Sequence, residues 1–166
     1  MDVTPEEREH LATILRDSME RAGPFVRASF EWPAHALSLD DLLALFRQMR
    51  VVVLATATAA GAPRVAPVGC LLVGAAFCVP TVRSAARCRM VARRPEVSFA
   101  YIEERALAVI VHGRGSIVGA GDALFDRCER ALAALGIASP TTWGDPADGR
   151  YLIIVPETIY TYRRDL

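Results

Sequence analysis

From Val51 onward the chain reads as a succession of β-type runs divided by turns. Val51-Val52-Val53-Leu54-Ala55-Thr56 is rich in β-branched residues, which suit a pleated, half-buried surface. Ala59-Ala60-Gly61-Ala62 reads as a turn, with Gly61 able to take a positive φ. Val65 to Leu72 is a second strand, Val73-Gly74-Ala75 a tight turn, and Ala76 to Val79 a third strand. A short helix opens at Ser84 and ends at Arg94-Pro95. Val97 to Ile102 and Leu107 to Val118 are further strands, the second carrying Gly113 and Gly115 as a bulge or bend. Tyr151 to Val155 is a sixth strand, Pro156 interrupts it, and Ile159 to Tyr162 continues as a last one. Strands joined by short hairpins, with one helix between them, predict a mainly β, α+β chain built on a small antiparallel barrel with peripheral helices.

The first 50 residues read as an N-terminal helical extension and arm, and residues 51–166 as the barrel domain. Thr4, Pro5 and Glu7 form a helix start with a capping box, followed by Leu11, Ile14, Leu15 and Met19 on one face. Gly23-Pro24 stops that helix, and residues 24–37 form an irregular arm pinned by Phe25, Phe30 and Trp32. A second helix starts at Ser38, has Asp40 and Asp41 in its first turn, and runs to about Arg50. Asp122 caps another helix that ends at Gly136, and residues 137–149 form a loop carrying Trp143.

Composition excludes several functions. The 19 basic and 19 acidic residues balance, so the backbone of a nucleic acid is not the expected partner, and little net repulsion opposes self-association. Every basic residue is arginine, which excludes lysine Schiff-base chemistry. Cys70, Cys78, Cys88 and Cys128 lack metal-ligand spacing, and with His10, His35 and His112 no metal site is expected. The cysteines read as reduced, buried, small apolar residues, and the polar, acidic residues 1–10 point to a cytoplasmic protein. The uncharged stretch from Val82 back to Val65 is broken by Pro67, Gly69, Gly74 and Pro80, so no membrane span is expected.

No nucleophile elbow, zinc-protease motif, phosphate loop or dinucleotide fingerprint is present, and no catalytic residue is assigned. The segment from Thr81 to Arg94 is the informative one. Arg83, Arg87, Arg89, Arg93 and Arg94 follow Thr81 and Ser84 around the start of the short helix. Free N–H groups, hydroxyl donors and planar guanidinium groups together suit a phosphate; a solvated basic helix face is the alternative.

Taken in order, the turn Gly61-x-Pro63, the strand Arg64-Val65-Ala66-Pro67-Val68, the run Phe77-Cys78-Val79-Pro80-Thr81, then Ser84-x-x-Arg87-x-Arg89 and Arg94-Pro95-x-Val97-Ser98 resemble the pyridoxamine 5'-phosphate oxidase-like split β-barrel family. That family includes flavin and deazaflavin oxidoreductases. The resemblance implies a homodimer with cofactor at the interface, usually FMN, and a small-molecule substrate. It places Ala66, Pro67, Val68 and Gly69 along the flavin ring, Thr81 and Ser84 at the phosphate or ribityl chain, Arg87 on the phosphate, and Arg89 in support. The family's basic residues on the ring-side strand are replaced by Ala66 and Leu71, and its glutamine late in the long strand by Ala108. The C-terminal arginine-rich signature is absent. These departures point to an oxidoreductase that does not act on pyridoxamine 5'-phosphate itself. Trp143, Tyr101 and Phe30 are candidates to cap the ring. The alternatives are a reductase that uses the deazaflavin F-420, a non-catalytic flavin or haem binder with His112 as haem ligand, and a barrel that has lost its cofactor.

Overall fold

In a computed structural model that describes residues 3–104 and 106–164, six antiparallel strands close a barrel in the order β1-β2-β3-β6-β5-β4. They are β1 (Arg50–Ala57), β2 (Pro63–Val73), β3 (Ala76–Val82), β4 (Glu96–Glu103), β5 (Leu107–Val118) and β6 (Gly149–Arg163). Side chains alternate across each strand, so Val52 and Leu54, Val97 and Phe99, and Val109 and Val111 point into the barrel.

Helices plug both ends. The helix α1 (Pro5–Arg21) has the expected capping box, and α3 (Leu39–Phe46) has a second one between Ser38 and Asp41. Leu11, Ile14 and Leu15 of α1 and Leu42 and Phe46 of α3 enter the barrel's own core. Phe46 stands edge-on to Phe77, with ring centroids 5.1 Å apart, and tilts against Phe99 and Tyr101. Two buried hydroxyls tie this region to β6. Ser18 Oγ donates to the Ile14 carbonyl and accepts the Ile159 N–H at 3.0 Å. Thr161 Oγ1 accepts the Leu37 N–H, also at 3.0 Å. At the other end α4 (Ala86–Arg93) lays Val91 against Gly115, where a side-chain carbon would crowd Val91, Val97 and Leu152. The helix α5 (Ala123–Ala134) covers the outside of β2, β3 and β6, forming a second core with Cys78, Cys128, Phe125 and Tyr151. All four cysteines are buried with free thiols.

Several expectations need correction. The second helix ends at Phe46, because Arg50 already pairs with Cys70 in β1. The arm is not wholly irregular, since Pro24–Ser29 forms a short helix, α2. Beyond it Trp32 Nε1 donates to the Thr161 carbonyl and packs on Tyr160. Ser84 does not cap α4; Ala85 occupies that position. Pro156 does not divide the last strand. The β5–β6 register slips between His112 and Gly113, and Pro156 lies opposite Gly113 with Glu157 as the extra residue. A bulge tolerates a residue that lacks a ladder N–H, so the strand runs through.

The barrel is split on one side. β2 pairs with β1 from Pro63 to Cys70, but with β3 only from Leu71 to Val73. β3 then turns away to pair with β6 as far as Val82. Among the described residues no strand covers the second edge of Pro63–Cys70, and Pro67 suits an edge position. No described helix is long and apolar enough to cross a membrane.

Candidate functional site

Where β3 ends, the chain makes one turn and enters α4, and the side chains there converge. Thr81 continues the inward row of Phe77 and Val79 and is 1% exposed. A buried hydroxyl needs a partner, and Arg87 Nη1 donates to Thr81 Oγ1 at 3.2 Å. One residue on, Cys88 Sγ donates to the Val82 carbonyl, fixing α4 against the strand end. The first turn of α4, which follows this strand end by one turn of chain, receives no side-chain cap.

Burial pushes the Cys88 thiol up, while its bond to Thr81 and the positive charges of Arg87, Arg150 and Arg89 act against that shift. Three guanidinium groups therefore sit around one corner. Arg150 was not among the sequence candidates. It lies directly across the ladder from Thr81, a neighbour set by β3–β6 register and invisible in linear order. Its Nη1 is held by the carbonyls of Ala147 and Gly149.

The other arginines of the segment divide by partner. Arg89 Nη1 donates to the Ser84 carbonyl at 3.1 Å, so Ser84 and Arg89 meet through backbone and not through the hydroxyl. Arg83 is neutralised by Asp148, 2.9 Å from its Nη2. Arg94 donates twice to the Ala59 carbonyl and fastens the β1–β2 turn to α4. The structure thus brings Thr81 and Arg87 together with Arg89 nearby, and assigns Arg83 and Arg94 other work.

The four ring-side candidates on β2 do not form one surface. Ala66 and Val68 pack on the barrel core, while Pro67 and Gly69 lie on the opposite face. Gly69 is covered by Met49, whose Sδ would lie 2.8 Å from an added side-chain carbon. What the four residues share is the open backbone edge. Outside that edge the sheet is apolar: Val51, Val53, Val65 and Ile102 are 68, 50, 70 and 65% exposed.

Of the ring-capping candidates, Tyr101 is buried inside the barrel and donates to Glu103. Phe30 packs on Trp32 and Tyr162, and Trp143 is exposed on the loop before β6. His112 points outward from β5, its Nδ1 2.7 Å from Ser98 Oγ. Among the described residues no set of three or more metal-ligating side chains is placed to hold an ion.

The donor set at the corner fits a phosphate-bearing cofactor: a buried hydroxyl, a half-buried guanidinium and an uncapped helix start beside an open strand edge. Comparison with known proteins agrees in fold. Residues 39–163 match the family model described as pyridoxamine 5'-phosphate oxidase. No curated protein matches the chain by sequence. Among solved structures, the conserved hypothetical protein Rv2991 from Mycobacterium tuberculosis superposes with a TM-score of 0.66 at 15% identity, covering 79% of this chain and 88% of that one. An F420 reductase gives 0.57 at 18% identity, with 70% and 94% covered. The haem storage protein HutZ from Vibrio cholerae gives 0.56 at 20% identity, with 76% and 96% covered.

Proposed function

The chain belongs to the pyridoxamine 5'-phosphate oxidase family, and from that premise we propose that it is a cytoplasmic, homodimeric oxidoreductase that binds FMN and reduces or oxidises a small organic substrate other than pyridoxamine 5'-phosphate. The observation that carries this reading is the Thr81–Arg87 pair at the uncapped start of α4, beside the open edge of β2. In this reading residues 51–166 form the cofactor-binding domain and residues 1–50 extend it. Thr81 and Arg87 hold the phosphate, Ser84 and Arg89 border it, and Arg150 adds positive charge from the neighbouring strand. The backbone of Ala66, Pro67, Val68 and Gly69 lies along the ring. FMN when bound supplies the hydride chemistry, and the protein supplies position and electrostatics.

The apolar face formed by Val51, Val53, Val65 and Ile102 supports self-association, since exposed apolar patches of this kind mark interaction surfaces. A balanced net charge opposes it little. The same corner suits the phosphate of the deazaflavin F-420, and an F420 reductase is among the proteins of similar fold. A non-catalytic haem binder is the second reading, and the outward, exposed His112 is the observation in its favour.

An absorbance titration with FMN, deazaflavin and haem tests all three. We expect tight binding of FMN, weakened tenfold or more by Arg87→Ala, a loss of about 1.4 kcal/mol or more. Deazaflavin bound in place of FMN moves the assignment to the F-420 reductases. Haem bound alone, with affinity lost in His112→Ala and kept in Arg87→Ala, replaces the oxidoreductase reading.

A further inference from the structure

We infer that Glu129 and Ser139 are positioning residues for Arg150: through them the segment leading into β6 acts as a strap that fixes the Arg150 guanidinium at the phosphate corner. The inference rests on the proposed function, which gives that corner a cofactor phosphate.

Arg150 owes its place to sheet register. It stands opposite Thr81, and residues directly opposite in an antiparallel ladder project from the same face, with Cβ atoms about 4.5–5.5 Å apart. Leu152 and Ile154 continue that row into the barrel core. Gly119 leaves room for the arginine, since a side-chain carbon there would lie 3.0 Å from Arg150 Nε. Arg150 Nη1 donates to the Ala147 and Gly149 carbonyls at 2.9 and 2.7 Å. Among the described residues the guanidinium has no carboxylate partner, and Nε and Nη2 have no protein acceptor. A long side chain loses much rotamer freedom when it is ordered, so an arginine held in advance binds an anion more tightly than a free one.

Two carbonyls orient Arg150 only if their own segment is fixed. Residues 139–148 contain two short 3-10 helices, Pro140–Thr142 and Pro146–Asp148, capped by the side chains of Ser139 and Asp145. One end of the strap is tied to the corner. The Arg83 N–H donates to the Asp148 carbonyl at 2.8 Å, and its guanidinium pairs with the Asp148 carboxylate. The middle is pressed onto the start of β6, where a side-chain carbon at Gly149 would lie 2.7 Å from Thr141 Cγ2.

The other end is tied to α5. Ser139 Oγ donates to Glu129 Oε1 at 2.7 Å, and Tyr151 Oη donates to the same oxygen at 2.5 Å. Tyr151 is fully buried, next to Arg150 in the chain and on the opposite face of β6. Burial and the Glu129 carboxylate push its phenol up, so it remains an O–H donor. One carboxylate oxygen therefore gathers α5, the strap and β6. The core under α5 is otherwise apolar, and apolar residues there would avoid the cost of desolvating a glutamate and two hydroxyls. What the polar set adds is a fixed direction for the strap.

The test titrates the full chain with FMN and with riboflavin, which lacks the phosphate. We expect Ser139→Ala to weaken FMN by roughly fivefold or more, the scale of one charge-assisted hydrogen bond, and to leave riboflavin unchanged. Glu129→Leu should do the same. Glu129→Gln, whose amide oxygen accepts both hydroxyls, should bind FMN as wild type does. In an Arg150→Gln background Ser139→Ala should cost less than about twofold, because residues that act through one group do not add. Should Glu129→Leu fail to fold, Ser139→Ala decides alone, since it leaves the Tyr151–Glu129 bond in place. Unchanged FMN affinity in a folded Ser139→Ala overturns the inference and leaves the phosphate corner standing. So do equal losses for FMN and riboflavin, and so does a loss that persists in the Arg150→Gln background. A wild type that binds FMN no tighter than riboflavin overturns the corner itself, and the inference with it.

Discussion

Gly113 has no room for a side chain, because the backbone of β6 passes against it at Val155 and Pro156. Gly113→Ala must therefore displace main chain, and we expect it to destabilise the fold by about 1–3 kcal/mol, as overpacking does. Chemical denaturation measures this; a midpoint equal to wild type would contradict the tight bulge. The glycine itself was legible, since a G-x-G inside an apolar run announces a bulge. Its opposite number was not. Pro156 in isolation reads as a break, and only pairing with Gly113 makes it a member of a continuous strand. Arg150 escaped for a similar reason. Thr81 and Arg87 are close in sequence, so their meeting could be anticipated, whereas Arg150 reaches them only through the β3–β6 register.

At the level of elements, helix starts and strands were readable because each carries local chemistry. Thr4, Ser38 and Asp122 cap with their own side chains, and the β-branched runs locate the strands. The end of α3 was less readable. Met49 prolongs the apolar face past Phe46, and the tertiary demand that Arg50 pair with Cys70 decides where helix gives way to strand. Nor did periodicity reveal that α3 serves as a stopper. Phe46 is fully buried among Phe77, Phe99 and Tyr101, so it fills the barrel end that strands alone leave open. Phe46→Ala should cost about 3–5 kcal/mol in equilibrium unfolding. A loss below about 1 kcal/mol would mean that the extension only leans on the barrel.

For the whole molecule, the central question is what covers the outer face of β1, β2 and β4. Val53 is half exposed in a single chain, so Val53→Asp should leave that chain folded while placing charge in the proposed contact. Light scattering on a sizing column should give a dimer for wild type and a monomer for the variant, with matching circular dichroism. A monomeric wild type would remove the shared-site arrangement. The split between β2 and β3 has a thermodynamic consequence of its own. A strand edge with a single neighbour leaves amide groups that solvent must satisfy. In the proposed reading, a planar ligand seated there would take the position of the missing strand. Binding to the native chain alone then adds RT ln(1 + [L]/Kd) to its stability. Occupancy and folding become one linked equilibrium, and hydrogen exchange along Val65 to Gly69 is where that linkage is read most directly.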